Sequence, residues 1–347
     1  MTTPTSSPTD VSTPVPSVTG VAAPAATRDG KPPVLGDRAA TGRLGDKIFL
    51  GLSSGAGILV IALVTLIGVF LLAQAIPALA KNHTGFLTSR TWNVDDPANM
   101  RFGIVQMLWT TVVSSIIAML IAVPVGVAVS LFITEYAPPW LARPAATLID
   151  LLAAVPSIVY GLWGVATFTP WVDPIQTWLM NHLGWFPLLG RSSTSGTIFV
   201  IGLVLSIMIL PIVTALTREV FSQTPRAHKE GALALGATRW EMIRTAVLPF
   251  GQPGVISAAM LALGRALGET VAVMMILSSL SDGAAWSWSI FGGGETFASK
   301  IANSAGELDT PTKTGAYIAA GLVLFILTFI VNAIARVVIE RRKAFTE

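Results

Sequence analysis

Residues 230–249 read EGALALGATRWEMIRTAVLP, a short, charged, amphipathic stretch with a long apolar segment on each side. Its first part is rich in alanine and leucine, which favour a helix of about two turns. Gly236 then provides a stop that needs no side chain, and Thr238 followed by Glu241 has the spacing of a capping box. Pro249 is expected to keep the second helix from running straight on. The stretch therefore predicts a compact helix-turn-helix between two apolar segments.

The composition indicates a membrane protein. Of the 347 residues, 52% are hydrophobic and 12% are charged, whereas soluble domains carry roughly 25% charged residues. The net charge of +3 is too small to suggest a nucleic-acid partner. The chain has no cysteine, and its three histidines are scattered without metal-ligand spacing, so neither a thiolate site nor a metal site is expected. No residues are predicted to be catalytic.

Apolar runs longer than about 18 residues recur along the chain and predict membrane spans. Residues 1–45 are rich in threonine, serine and proline, and this composition predicts a disordered tail. Residues 46–347 are predicted to form an all-α integral membrane domain of six transmembrane helices, with a loop at 223–250. The expected spans are 48–79, 102–133, 145–168, 197–220, 253–280 and 314–338.

Basic residues are unevenly distributed between the two sides of this topology. They are more numerous beside the two termini and the 223–250 loop than in the segments on the other side. The positive-inside rule therefore predicts that the N and C termini and this loop are cytoplasmic, and that the protein is a multi-pass protein of the cell membrane.

The predicted fifth span contains two charged residues, Arg265 and Glu269. Each charge costs about 2.5–3.5 kcal/mol at the centre of a membrane helix on insertion scales. The two residues are four apart, so they are expected to share a helix face and to pair. Two interpretations follow: the residues line a substrate path, or they form an internal ion pair that only lowers its own insertion cost. The path would consist of Arg265, Glu269, Gly264, Gly268 and Thr270.

Arginine presents a planar fork of donors that suits oxyanions such as phosphate. A neighbouring carboxylate would temper its charge, and an anion held weakly enough can be released again, as conduction requires. The residues thus favour an oxyanion as the substrate, without deciding which one.

The 230–249 stretch resembles the EAA loop of ABC-importer permeases. Glu230-Gly231-Ala232 stands where those proteins have Glu-Ala-Ala, and Gly236 and Leu248-Pro249 follow at the expected offsets. The resemblance implies a coupling helix that contacts an ATPase. The implied coupling residues are Glu230, Gly231, Ala232, Gly236, Arg239, Leu248 and Pro249. The alternative is an ordinary amphipathic loop.

Two further segments resemble phosphate-specific ABC permeases of the PstC type: GRALGETVAV at 264–273 and LAAVPSIVYGLWG at 152–164. The resemblance implies the type I ABC importer permease fold and the import of inorganic phosphate. It also implies three kinds of partner in the lipid bilayer and beside it: a second permease subunit of PstA type, an ATPase dimer of PstB type and an extracytoplasmic phosphate-binding protein of PstS type.

The chain lacks the phosphate-binding motif G-x-x-x-x-G-K-[ST], since its single Gly-Lys pair, Gly30-Lys31, is followed by proline. ATP and Mg²⁺ are therefore expected to belong to a partner ATPase, with no cofactor bound by this chain and no enzymatic activity of its own. Two alternative functions remain: a permease for another oxyanion, sulfate or molybdate, and a membrane sensor or scaffold that transports nothing.

Overall fold

The computed structural model describes residues 43–190, 196–279 and 287–343. The chain divides into two compact units, Met1–Ala62 and Leu63–Glu347. The predicted disordered tail lies outside the described residues as far as residue 42, and the first helix begins at Arg43. The helices are α1 Arg43–Ala80, α2 Val105–Leu131, α3 Pro139–Ala153, α4 Ser157–Trp163, α5 Thr169–Leu183, α6 Ile198–Ser222, α7 Arg226–Ala234, α8 Arg239–Met242, α9 Leu248–Leu267, α10 Val271–Ile276, α11 Phe297–Asn303 and α12 Pro311–Lys343.

Shorter elements connect these helices. Three π-helical turns, Phe132–Tyr136, Gly164–Phe168 and Ile243–Val247, continue α2, join α4 to α5 and join α8 to α9. Two 3₁₀ turns lie at Pro187–Leu189 and Ala305–Glu307. Strands β1, Trp92–Asn93, and β2, Arg101–Phe102, pair antiparallel with Trp92 opposite Phe102.

Five of the described helical segments are long and apolar enough to cross a membrane, and a sixth is present if the bent pair α3 and α4–α5 counts as one span. The prediction of an all-α membrane protein is confirmed. The predicted third span, 145–168, is wrong as a single helix, because the chain bends by 89° between Ala153 and Ser157. The backbone at Pro156 is extended, and a proline also disfavours helical geometry at the residue before it. The Tyr160 hydroxyl donates a 3.2 Å hydrogen bond to the Leu152 carbonyl near this break.

The predicted fifth span, 253–280, is displaced, because its helical segment begins at Arg239 and ends at Leu267. Pro249 does not stop it, contrary to the prediction. The π-helical turn Ile243–Val247 precedes the proline, and the Leu248 N–H bonds to the Ile243 carbonyl five residues back. Pro249 then lies in the first turn of α9, where a missing N–H is tolerated. The helix-turn-helix is thus continuous with the fifth span.

Helix α6 forms the centre of the second unit. Most of its side chains are buried, as expected for a helix that is apolar on all sides and surrounded by others. It packs against α2 through small residues: a Cβ added at Gly126 would lie 2.8 Å from Val213 Cγ1. The Ser130 hydroxyl donates to the Thr214 carbonyl at 2.8 Å and so joins the same two helices. Helix α9 contributes Ala262 and Ala266 to this core.

Helices α4 and α10 approach each other closely at Gly161. A Cβ at this position would lie 2.9 Å from Met275 Sδ and 3.2 Å from the Ala272 Cα atom. The two segments that carry the sequence signatures, 152–164 and 264–273, therefore pack together, and glycine is what allows the contact.

We expect Gly161→Leu to lower the melting temperature of the detergent-solubilised protein clearly. The added side chain meets backbone at Ala272 and cannot be accommodated by a rotamer change, and overpacking of this kind costs about 1–3 kcal/mol. Gly57→Leu is the matched control, because open space surrounds Gly57. Equal melting temperatures for the two variants would contradict the tight α4–α10 contact.

Candidate functional site

Helix α7 ends in a Schellman motif. Gly236 has a φ of +87°, in the left-handed region that favours glycine. The Ala237 N–H bonds to the Ala232 carbonyl at 3.2 Å, and the Gly236 N–H bonds to the Leu233 carbonyl at 3.0 Å. The predicted stop at Gly236 is confirmed, together with its physical reason.

Helix α8 begins with the predicted capping box. The Thr238 N–H donates to Glu241 Oε2 at 2.7 Å, and the Glu241 N–H donates to Thr238 Oγ1 at 3.3 Å. Because α8, the π-helical turn and α9 form one helical segment, a displacement of α7–α8 reaches Leu267 without an intervening loop.

The outward surface of α7–α8 carries large apolar side chains. Leu235 is 91% exposed, Trp240 is 57% exposed and Leu233 is also exposed. Sequence reasoning missed these three residues, although bulky apolar side chains in a polar loop are a signal of a partner surface.

The predicted coupling residues separate into three groups. Four are exposed on α7–α8: Glu230, Gly231, Gly236 and Arg239. Ala232 instead packs against a small core formed by Leu131, Phe221, Met242, Ile243 and Val247. Leu248 and Pro249 line a groove of about 340 Å³ with Val127, Gln252 and Val255, and Leu248 also packs against this core. The exposed apolar residues of α7–α8 do not line this groove, so the two are distinct surfaces.

The fifth span is interrupted at residues 268–270. The Gly268 N–H bonds to the Gly264 carbonyl at 3.3 Å as α9 ends, and the Thr270 hydroxyl donates to the Gly268 carbonyl at 3.1 Å. Glu269 is buried, and its Oε1 accepts a 3.2 Å hydrogen bond from the Ala272 N–H in the first turn of α10. Glu269 therefore stabilises the start of α10.

The predicted pairing of Arg265 with Glu269 on one helix face is wrong. Helix α9 ends at Leu267, so the spacing of four residues no longer places the two side chains side by side. Among the ion pairs of the described residues, none joins them. The buried carboxylate faces the backbone of α10, while Arg265 is exposed.

Arg265 lines an open groove of about 390 Å³. Gly264, Met260 and Leu261 of α9 form one wall, and Ile212 of α6 and Asn332 of α12 complete it. Of the predicted path residues, Gly264 and Arg265 line the groove, whereas Gly268, Glu269 and Thr270 form the helix break beside it. Asn332, 67 positions along the chain from Arg265, was not foreseen.

These features define a multi-pass membrane permease with a broken span at a charged groove and a helix-turn-helix at one end of its spans. The chain belongs to the family of binding-protein-dependent transport system inner membrane components, which matches residues 122–344. The matched range includes α7–α8 and the groove residues on α6, α9 and α12. It also includes the bend between α3 and α4 and the break between α9 and α10.

Named relatives agree with this membership. The chain is 50% identical over 300 residues to phosphate transport system permease protein PstC 2 of Mycobacterium tuberculosis, covering 85% of this chain and 92% of that protein. It is 51% identical over 274 residues to PstC of Mycobacterium leprae, covering 78% and 85%. It is 37% identical over 330 residues to PstC of Mesorhizobium japonicum, covering 92% and 99%.

Two solved transporters share the fold. An inward-facing structure of the MetNI methionine ABC transporter has a TM-score of 0.51 and 15% sequence identity, covering 69% of this chain and 95% of that one. A bacterial ABC transporter involved in the import of alginate has a TM-score of 0.50 and 15% identity, covering 68% and 79%. The type I ABC importer permease fold predicted from the sequence is confirmed.

Proposed function

We propose that this chain is a permease subunit of an ATP-driven importer of inorganic phosphate, and that it forms the translocation path with a second permease subunit of PstA type. The observation that carries the proposal is the identity of about half of the residues, over most of both chains, to permeases named for phosphate transport.

The charged groove supports an anionic substrate. Arg265 lies in a membrane-spanning helix, is exposed, and has no carboxylate partner among the ion pairs of the described residues. A charge in contact with hydrocarbon is costly, so intramembrane charges face a polar cavity or a partner. A guanidinium offers several donors in a plane that matches the oxygens of phosphate, and here Glu269 does not occupy them. Arg265 is thus an anion contact on the path.

The apolar surface of α7–α8 supports a partner ATPase. Leu235 and Trp240 are exposed on a segment that also presents Glu230 and Arg239, a mixture suited to a protein interface rather than to solvent. In the proposed complex α7–α8 lies on the cytoplasmic side of the membrane, where an ATPase dimer of PstB type contacts it. That dimer binds ATP and Mg²⁺. A phosphate-binding protein of PstS type delivers the substrate at the opposite end.

The helical continuity from Arg239 to Leu267 supplies the mechanism. Closure of the ATPase dimer displaces α7–α8, and the continuous helix carries this displacement to the Arg265 groove. The break at 268–270 lets α9 move while α10 stays packed on α4 through Gly161. Access to Arg265 then alternates between the two sides of the membrane.

The proposal is tested by uptake of radiolabelled phosphate at micromolar concentration in a strain that lacks this permease. We expect the intact gene to restore ATP-dependent uptake, and excess unlabelled phosphate, but not sulfate or molybdate, to suppress it. Suppression by sulfate or molybdate would reassign the substrate. Uptake equal in the presence and absence of the gene would favour a sensor or scaffold.

A further inference from the structure

Helix α7 has an inward face as well as the exposed surface described above. Lys229 and Ala232 lie three positions apart and therefore on the same side of the helix. Both are partly buried, whereas Glu230 and Gly231 between them are exposed. The inward face is attached to the transmembrane helices at these two positions by different interactions.

At Lys229 the attachment is an ion pair. The Lys229 Nζ lies 2.6 Å from Glu135 Oε1, the shortest of the ion pairs formed by the described residues. The Glu135 side chain is only 7% exposed and that of Lys229 is 21% exposed. Removing one partner of a buried pair leaves an uncompensated charge, so the two side chains stay together as their helices move.

Glu135 lies in the π-helical turn Phe132–Tyr136 at the end of α2. Near the same end of α2, Ser130 bonds to Thr214 of α6, and Leu131 belongs to the core beside Ala232. A force on Glu135 therefore reaches α2 and α6 together.

At Ala232 the attachment is apolar. Ala232 packs against a core formed by Met242, Ile243 and Val247 at the start of the fifth span, together with Leu131 of α2 and Phe221 of α6. Apolar packing and chain continuity thus connect α7 to the fifth span and to α6, and the ion pair adds the one polar contact with the end of α2 among the described ion pairs.

We propose that the Glu135–Lys229 pair is a positioning link that makes α2 and α6 move with α7. The inference rests on the proposed function, because it takes α7 as the element that the ATPase displaces. With the pair broken, α7 is joined to α2 and α6 only by the apolar core at Leu131 and Phe221 and by residues 223–225, and these two helices follow α7 less closely than α9 does. The Arg265 groove has walls on both α6 and α9, so a displacement of one wall ahead of the other opens the path at the wrong time. ATP is then hydrolysed without transport.

The test is the number of phosphate ions transported per ATP hydrolysed, measured on the complete complex in proteoliposomes. The variants are Glu135→Gln, Lys229→Gln and the exchanged pair Glu135→Lys with Lys229→Glu. The matched control is Asp150→Asn, which breaks the Arg218–Asp150 ion pair at the same end of α6, where Asp150 is 53% exposed.

We expect each single variant to lower the transported-to-hydrolysed ratio by about tenfold, within the range of coupling energies between sites, while hydrolysis stays within about twofold of wild type. The exchanged pair restores most of the ratio, and Asp150→Asn leaves it unchanged. A purely structural role lowers the yield or melting temperature of the complex without changing the ratio, and this result would overturn the inference.

An unchanged ratio in both single variants, or no recovery in a well-folded exchanged pair, would overturn it as well. Failure of the proposed function is seen separately, in a wild-type complex that accumulates no phosphate. Failure of the inference is seen only in the variants of a complex that does.

Discussion

The double variant Arg265→Leu with Glu269→Gln is expected to reach the membrane in normal amounts and to transport almost no phosphate. Arg265 faces an open groove, so leucine there leaves no cavity and removes a charge that is costly to insert. Glutamine at position 269 keeps an oxygen acceptor for the Ala272 N–H, which leucine would not provide. Uptake in vesicles, normalised to permease in the membrane, is expected to fall about tenfold to a hundredfold, as loss of hydrogen bonds to a charged group predicts.

Arg265→Lys separates the shape of the guanidinium from its charge. We expect it to transport poorly, because an ammonium is a point charge without the planar fork. Met260→Leu is the matched control: it changes the same groove with little change of volume and no change of charge. Near-normal uptake by the double variant Arg265→Leu with Glu269→Gln, with Met260→Leu also normal, would contradict the proposal that Arg265 contacts the anion.

Replacing both Leu235 and Trp240 by glutamine is expected to abolish transport by detaching the ATPase. The two side chains are exposed, so their loss does not disturb the fold of this chain. Aromatic residues at the centre of an interface commonly contribute about 2 kcal/mol or more, which corresponds to binding weaker by about thirtyfold. Co-purification of the ATPase and binding-protein-stimulated hydrolysis measure the effect.

Trp140→Gln controls for the loss of an exposed aromatic side chain outside the proposed docking surface. Trp140 is 75% exposed and lies on α3, four residues after the Phe132–Tyr136 turn and outside α7–α8. The control is expected to keep the ATPase bound. Retention of the ATPase by the double variant would mean that α7–α8 is not its docking surface.

The helix-turn-helix was predictable because its signals are local. A glycine with a positive φ and a capping box of four residues specify their geometry without distant contacts, and Gly236, Thr238 and Glu241 adopt it. The approximate positions of the first, second, fourth and sixth predicted spans followed for the same reason, since apolar length alone decides whether a segment can cross a bilayer.

The predictions that failed depended on longer-range structure. The spacing of Arg265 and Glu269 suggested a pair, but the helix ends between them and the Glu269 carboxylate bonds to the next helix instead. Pro249 was expected to interrupt a helix that a π-helical turn allows to continue. The Glu135–Lys229 pair joins residues 94 positions apart, and no local pattern in the sequence indicates it.

The central claim is tested most directly by reconstituting this chain in proteoliposomes with PstA-type and PstB-type subunits and a phosphate-binding protein. We predict accumulation of phosphate that requires ATP, the binding protein and Arg265 together, with sulfate and molybdate excluded. Accumulation that continues without this chain, or accumulation of sulfate in place of phosphate, would contradict the claim.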